Sequence, residues 1–88
     1  MKTLFTKSFE RDLRGFRDEH LRQQVLEAIR QVQEAARPDE IHHLKKLKGY
    51  AVYYRVRLGD YRLGLKVEGN EVTFMRLLHR RDIYRYFP

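Results

Sequence analysis

Four basic side chains that alternate along two neighbouring predicted strands are the residues best suited to chemistry in this sequence. They are Arg55, Arg57, Arg62 and Lys66. A two-residue turn at Gly59-Asp60 places Arg57 directly opposite Arg62, and like charges facing each other destabilise a sheet. Because guanidinium groups bind phosphate oxygens bidentately, the pattern predicts an anion site for a phosphodiester. The alternative is a solvated charged face with no ligand.

The predicted register also defines the surroundings of these side chains. It places Gly64 opposite Arg55 and Tyr53 opposite Lys66. We expect no acidic residue on this face, and we expect Gly64 to leave room for a ligand to approach the backbone. The other face is apolar and can receive helices. It carries Tyr54, Val56, Leu58, Tyr61, Leu63, Leu65 and Val67.

The segment His79–Pro88 interleaves basic and aromatic residues. The interleaved residues are His79, Arg80, Arg81, Tyr84, Arg85 and Tyr86. Basic groups hold backbone phosphates and tyrosine rings stack on unpaired bases, so this segment predicts contact with single-stranded RNA. The alternative is a capping helix anchored by Ile83 and Phe87, and the two interpretations are compatible.

The connector at residues 41–49 adds further basic side chains to the predicted RNA contact surface. They are Lys45, Lys46 and Lys48. The adjacent His42 and His43 have no carboxylate partner at metal-ligand spacing, so we interpret them as part of the connector and not as a metal site.

Charge and composition narrow the class of partner. Residues 1–40 carry eight basic and eight acidic residues, whereas residues 41–88 carry eleven basic and four acidic ones, so the net charge of +7 lies in the second half. An excess of this kind favours nucleic acid, an anionic membrane or an acidic protein as the partner. The absence of cysteine excludes disulfides and thiolate chemistry. With no long apolar run, we expect a soluble cytoplasmic protein.

Hydrophobic periodicity predicts the elements that position these residues. Lys2–Lys7 reads as a strand, and Ser8 is expected to cap a short helix through Phe16. A second helix is predicted from Glu19 to Arg37, where Pro38 ends it.

Three further strands are predicted at residues 51–58, 61–67 and 71–78, with a bulge near Met75–Leu78. His79–Pro88 is expected to form a short helix or coil. The predicted fold is a single α+β domain over residues 1–88, with the order β-α-α-β-β-β. Its sheet is mostly antiparallel, and a helical hairpin packs on one face.

The motifs Leu47-Lys48-Gly49, Tyr54–Leu63 (YRVRLGDYRL) and His79–Tyr84 (HRRDIY) resemble those of the RelE/ParE superfamily, the toxins of type II toxin–antitoxin systems. The resemblance covers essentially the whole chain and implies a RelE-like fold. It also implies a metal-independent endoribonuclease, an mRNA interferase that cleaves ribosome-bound mRNA. In that reaction the 2′-hydroxyl attacks the adjacent phosphate, giving a 2′,3′-cyclic phosphate and a 5′-hydroxyl.

The resemblance implies catalytic roles for five residues, which are Arg55, Arg57, Arg62, Arg80 and Tyr84, with Tyr86 as the alternative to Tyr84. From the basic connector, sheet face and tail we also expect RNA contacts, at Lys45, Lys46, Lys48, Lys66, His79, Arg81 and Tyr86. The strand position often proposed as the general base is lysine in the best-known RelE-type toxin and is Arg57 here, and arginine is a poor proton acceptor. His79, Tyr84 or the ribosome is then left to move the proton.

The resemblance further implies a cognate antitoxin, a small acidic or partly disordered chain, and mRNA and the ribosome as partners. It implies no membrane partner, no metal and no small-molecule cofactor. Two alternatives stay open on the same fold. One is a ParE-type inhibitor of DNA gyrase, and the other is an RNA-binding module without catalysis.

Overall fold

A computed structural model describes residues 1–88 as three α-helices and a five-stranded sheet in the order β1-β5-β4-β3-β2. The strands are β1 (Lys2–Phe5), β2 (Leu44–Lys46), β3 (Tyr53–Leu58), β4 (Tyr61–Glu68) and β5 (Glu71–His79). The helices are α1 (Lys7–Gly15), α2 (Glu19–Glu34) and α3 (Ile83–Tyr86), with a 3₁₀ turn at Pro38–Glu40. Strand β1 runs parallel to β5 and all other pairs are antiparallel, which confirms the predicted α+β class.

The ends of the helices differ from the sequence prediction. Helix α1 begins after Thr6, whose backbone is extended and whose Oγ1 accepts the Phe9 N–H at 3.0 Å. The prediction of Ser8 as the cap was therefore wrong. Ser8 lies inside the first turn. Helix α2 is capped by Asp18 and ends at Glu34, three residues before Arg37, because Ala35 is already extended.

The connector contains a strand that was not predicted. Residues Leu44–Lys46 pair antiparallel with Val56–Tyr54 of β3 and extend the sheet by one strand. Three residues are too few for a period of two to be visible in the sequence. Strand β1 likewise ends at Phe5 and not at Lys7, because Thr6 begins the capping of α1.

The predicted hairpin register is confirmed. Arg57 pairs with Arg62 and Arg55 with Gly64, across a turn in which Gly59 has a φ of 60°. A positive φ is easily adopted by glycine and rarely by other residues. The predicted bulge is also present, since Gly64 pairs with Arg76 while Leu65 pairs with Phe74, which leaves Met75 without a partner.

The sheet separates two hydrophobic cores of unequal size. The main core of 14 buried residues lies between the sheet and helices α1 and α2, and includes Phe9, Val25 and Phe74. A second core of three buried residues, Leu47, Ile83 and Phe87, lies on the other face under α3. None of the helices is long and apolar enough to cross a membrane.

Candidate nucleic-acid interface

Arginines from β3, β4 and the segment after β5 meet on the α3 face of the sheet. We call this group the basic cluster, and it consists of Arg55, Arg57, Arg62 and Arg80, with Tyr84 beside it. Partial burial lowers the pKa of the Arg62 guanidinium from its ordinary value, and the positive charges of Arg55 and Arg57 lower it further. Tyr84 acts in the opposite direction and Arg80 adds to the lowering. The cluster therefore concentrates positive charge at Arg62, where a bound anion would relieve the repulsion.

The hairpin turn holds Arg62 in place. Its Nη1 donates to the carbonyl oxygens of Gly59 at 2.7 Å and Tyr61 at 2.9 Å. Its Nε and Nη2 make no hydrogen bond within the protein, so one edge of the guanidinium is fixed and the other can receive a ligand. A guanidinium anchored in this way loses little freedom on binding an oxyanion.

Asp60 positions Arg80 at the rim of the basic cluster. The Arg80 backbone N–H donates to the Asp60 carbonyl oxygen at 2.8 Å, and the Arg80 Nε lies 4.0 Å from Asp60 Oδ1. Both side chains are more than half exposed, so this ion pair contributes little to stability and leaves Arg80 free to rearrange.

The prediction that the basic face carries no acid was wrong. Lys66 Nζ lies 3.2 Å from Glu68 Oε1, and Glu68 projects from the same face because it is two residues further along β4. Lys66 is thus paired with its own counter-charge, whereas Arg55, Arg57 and Arg62 have no carboxylate within salt-bridge distance.

The space above Gly64 is occupied, which corrects the expectation that it admits a ligand. A Cβ built on Gly64 would lie 2.8 Å from ring carbons of Phe87. The absence of a side chain at position 64 therefore allows the close approach of the C-terminal segment. Beside it, the Nε of Arg55 is buried and has no hydrogen-bond partner.

The C-terminal segment packs on the sheet through its apolar residues and exposes its tyrosines. A capping helix and a surface for ligand contact, the two interpretations of its sequence, are thus compatible. Ile83 is fully buried and Phe87 nearly so, while Tyr84 and Tyr86 are 65% and 54% exposed. Tyr84 is the tyrosine that lies close enough to Arg62 to affect its pKa, and Tyr86 is not among the groups that do so. The structure therefore brings Tyr84, and not Tyr86, to the basic cluster.

His79 is not brought to the basic cluster. It pairs with Tyr61 on the helix-facing side of the sheet, and the two rings meet edge to face with centroids 5.4 Å apart. Its Nδ1 accepts the Arg81 backbone N–H at 3.1 Å. That nitrogen has no free lone pair to accept a proton from a substrate.

The remaining predicted contacts are scattered around the site. Lys45 lies opposite Arg55 and shares its face, whereas Lys46 lies opposite Tyr54 on the helix-facing side. Lys48, in the turn after β2, and Arg81, in the turn before α3, are exposed and make no side-chain hydrogen bond or ion pair. Of these four, only Lys45 extends the basic cluster along its own face.

Sequence reasoning missed His43. It has a φ of 62° and lines a cavity with Lys45, Arg55 and Arg57. A histidine with positive φ is uncommon, and only the geometry of the turn before β2 reveals it. The one available signal was its position beside a run of basic residues.

Comparison with known proteins gives three findings. A family described as the ParE toxin of the type II toxin–antitoxin system parDE matches residues 3–84. The chain is 42% identical over 89 residues to Toxin RelE3 of Methanocaldococcus jannaschii, covering 100% of both proteins. It is also similar to the toxin in the RelB–RelE antitoxin–toxin complex from Methanococcus jannaschii, with a TM-score of 0.80, 41% identity, and coverage of 97% of this chain and 99% of that chain. The chain is also similar to the toxin in the archaeal RelE–RelB complex from Pyrococcus horikoshii OT3, with a TM-score of 0.71, 25% identity, and coverage of 90% of this chain and 93% of that chain.

Proposed function

Because the chain belongs to the RelE/ParE family of toxins of type II toxin–antitoxin systems, we propose that it cleaves ribosome-bound mRNA by attack of a 2′-hydroxyl on the adjacent phosphate. The observation that carries the proposal is the convergence of four arginines and Tyr84 on one face, with Arg62 held by the hairpin turn. Such a site neutralises the charge that accumulates on a pentacoordinate phosphate.

The proposed reaction assigns a role to each part of the basic cluster. Arg57 and Arg62 bind the non-bridging oxygens, and Arg80 supports the negative charge on the departing 5′-oxygen. The bond from the 2′-oxygen to phosphorus forms as the bond to the 5′-oxygen breaks. The 2′-hydroxyl loses a proton and the 5′-oxygen gains one.

Proton transfer falls to Tyr84 or to a group supplied by the ribosome. Arginine stays protonated in proteins, so the lowered pKa of Arg62 does not make it a base. His79 faces away from the basic cluster and its Nδ1 already accepts a hydrogen bond. Tyr84 is exposed and lies near Arg62, so its hydroxyl is the group of this chain best positioned to exchange a proton.

The proposal is tested by mapping the 5′ ends of mRNA incubated with the protein, with and without translating ribosomes. We expect new 5′-hydroxyl ends within codons that depend on ribosomes, and their loss in Arg62→Ala and Arg80→Ala. Arg14→Ala is the matched control, because Arg14 is an exposed arginine on α1, away from the basic cluster. Intact mRNA with the wild-type protein, or full cleavage by Arg62→Ala, would overturn the proposal.

Inhibition of DNA gyrase is the second candidate, because the matching family is described as the ParE toxin. It predicts double-strand breaks in DNA and a stable complex with gyrase, while mRNA stays intact. Binding of RNA without cleavage is the third, and predicts salt-dependent affinity with unchanged product length.

We also infer a cognate antitoxin with an acidic segment. The solved relatives from Methanococcus jannaschii and Pyrococcus horikoshii are complexes of RelE with RelB. A segment rich in aspartate and glutamate would neutralise the basic cluster, and the small second core makes the C-terminal segment easy to displace. A purified 1:1 complex that retains full toxicity would contradict this inference.

A further inference from the structure

A cavity of about 420 Å³ opens between α2 and the outer edge of β3, on the helix-facing side of the sheet. Its apolar surface comes from Ala28, Val56 and Leu58. Its polar wall carries the amides of Gln23, Gln24 and Gln31 and the imidazoles of His20, His42 and His43. The carboxylate of Glu27 also lines it and is paired with Arg30. This volume falls in the range of small-ligand sites, and an apolar floor with a few polar groups is their usual composition.

Gln24 is the amide available for a ligand. Gln31 Oε1 accepts the His42 backbone N–H at 3.1 Å, and Gln23 Nε2 donates to Glu19 Oε1 at 3.0 Å. The half-buried Gln24 amide makes no hydrogen bond within the protein. It therefore offers one acceptor and two donors to the cavity.

The cavity continues onto the basic cluster around the edge of β3. Gln24 and His43 also line a neighbouring cavity with Arg57, and His43 lines a third with Arg55 and Arg57. Strand β2 is too short to cover this edge, since its pairing with β3 stops at Val56. His43 and Arg57 therefore lie between the rest of the basic cluster and this cavity.

The backbone of the turn before β2 places the His43 side chain on the wall of this cavity and of the two neighbouring ones. Its φ of 62° lies in the left-handed region, which histidine adopts far less readily than glycine. The bond from His42 N–H to Gln31 ties this turn to α2. A backbone outlier of this kind is a reason to look for a functional constraint.

We propose that this cavity binds one unpaired nucleobase of the RNA whose phosphate lies on the basic cluster, with Gln24 and His43 reading its hydrogen-bonding edge. The assignment rests on the proposed function and adds base selection to it. A base offers flat apolar faces to Val56 and Leu58, and a glutamine amide can pair with the donors and acceptors on its edge. The phosphate on its sugar would lie toward Arg57, which lines the adjoining cavity.

The assignment is tested by titrating the isotopically labelled full chain with four ribotrinucleotides that differ in one base. A 2′-deoxy substitution at the first and central sugars removes the nucleophile for both phosphates, so that binding alone is measured. We expect the side-chain NMR signals of Gln24 and His43 to shift, with one base bound about tenfold more tightly than the weakest. Gln24→Ala should remove that preference, while Gln33→Ala on the same helix, outside the cavity, should retain it.

The possible results separate this assignment from the proposed function. Shifts at Gln24 with base preference, in a protein that leaves mRNA intact, support the cavity and overturn the cleavage proposal. Signals at Gln24 and His43 that do not respond to any trinucleotide, or respond only to an acidic peptide, overturn the cavity assignment even if mRNA is cut. Alanine is favourable within a helix, so loss of folding is not expected to obscure the Gln24→Ala result.

Discussion

The two faces of the sheet are built on opposite principles. The helix-facing side buries a core of 14 residues, and its helices carry paired charges, such as Arg30 with Glu27 and Glu34. The α3 face buries only three residues and leaves Arg57 and Arg62 opposite each other without a counter-charge. The helix-facing side supplies most of the buried core, and it supports the unpaired positive charge on the other face.

The contrast extends to single ion pairs. Asp12 of α1 receives Arg76 Nε at 2.7 Å and the Leu77 N–H at 3.0 Å, and so ties the helix to the bulged part of β5. The hydrogen bond to Asp12 raises the pKa of Arg76 from its ordinary value, whereas burial and like charges lower that of Arg62. The opposite signs reflect the paired environment of Arg76 and the like-charged environment of Arg62.

The largest expected effect is a difference in stability between substitutions in the two cores. Phe74→Ala empties the centre of the main core, where Phe74 contacts Phe5 and Phe9, and should reduce the free energy of unfolding by about 4 kcal/mol. Phe87→Ala should cost less, because the four-residue helix α3 can shift to fill the space. Urea denaturation of both variants measures the difference. Equal losses would contradict the contrast between the two faces.

The next effect isolates activity from stability. Arg62→Ala should reduce the rate of mRNA cleavage by about 100-fold to 1000-fold, as expected for loss of a group that stabilises transition-state charge. Its unfolding free energy should stay within about 0.5 kcal/mol of wild type or rise, because a like-charge pair is removed. Single-turnover cleavage and urea denaturation on the same preparations test both statements, and a large loss of stability would place Arg62 among the structural residues.

A glycine substitution tests how the C-terminal segment is attached. Gly64→Ala places a methyl group against the Phe87 ring and should cost about 2 kcal/mol, through overpacking and displacement of the segment. Gly15→Ala is the matched control, since nothing lies within 4 Å of the added carbon. Limited proteolysis near Tyr84 should accelerate only in Gly64→Ala. Unchanged protection would mean that Phe87 adapts without moving the helix.

The smallest expected effect on stability tests which residue caps the start of α1. Thr6→Ala removes the oxygen that caps the Phe9 N–H and a hydroxyl that donates to the Met75 carbonyl at 2.9 Å, and should cost about 1 kcal/mol. Ser8→Ala should change stability by no more than about 0.3 kcal/mol, because its hydroxyl only accepts from an exposed arginine. Thermal denaturation of the two variants tests this assignment, since Thr6→Ala should lower the Tm more than Ser8→Ala does. Equal decreases in Tm would contradict it.

Local chemistry explains why the hairpin and its charges were predictable. The Gly59-Asp60 turn determines which residues of β3 and β4 face each other, so the pairing of Arg57 with Arg62 follows from the sequence. The mismatch of apolar spacing near Met75 likewise indicated the bulge. The position of Tyr84 near Arg62 was one of two alternatives that tail spacing alone left open.

Contacts between distant segments explain the failures. The packing of Phe87 on Gly64 depends on how the C-terminal segment crosses the sheet, and no local pattern encodes it. The cap at Thr6 rather than Ser8 depends on where β1 leaves β5, and both residues are good capping types. The position of His43 beside Arg55 and Arg57 could not be predicted because it depends on the edge of β3 that a short β2 leaves open.

The parallel pairing of β1 with β5 has a consequence for synthesis. Lys2 pairs with Glu71, and the Thr6 hydroxyl reaches a carbonyl 69 positions later, so the sheet cannot close until most of the chain has been translated. Contacts between residues so far apart in the sequence form late, because closing a long loop costs entropy. Arg80 and Tyr84 are translated later still. A nascent chain therefore carries the β3–β4 hairpin before the complete basic cluster, which forms only once the C-terminal segment has been synthesised.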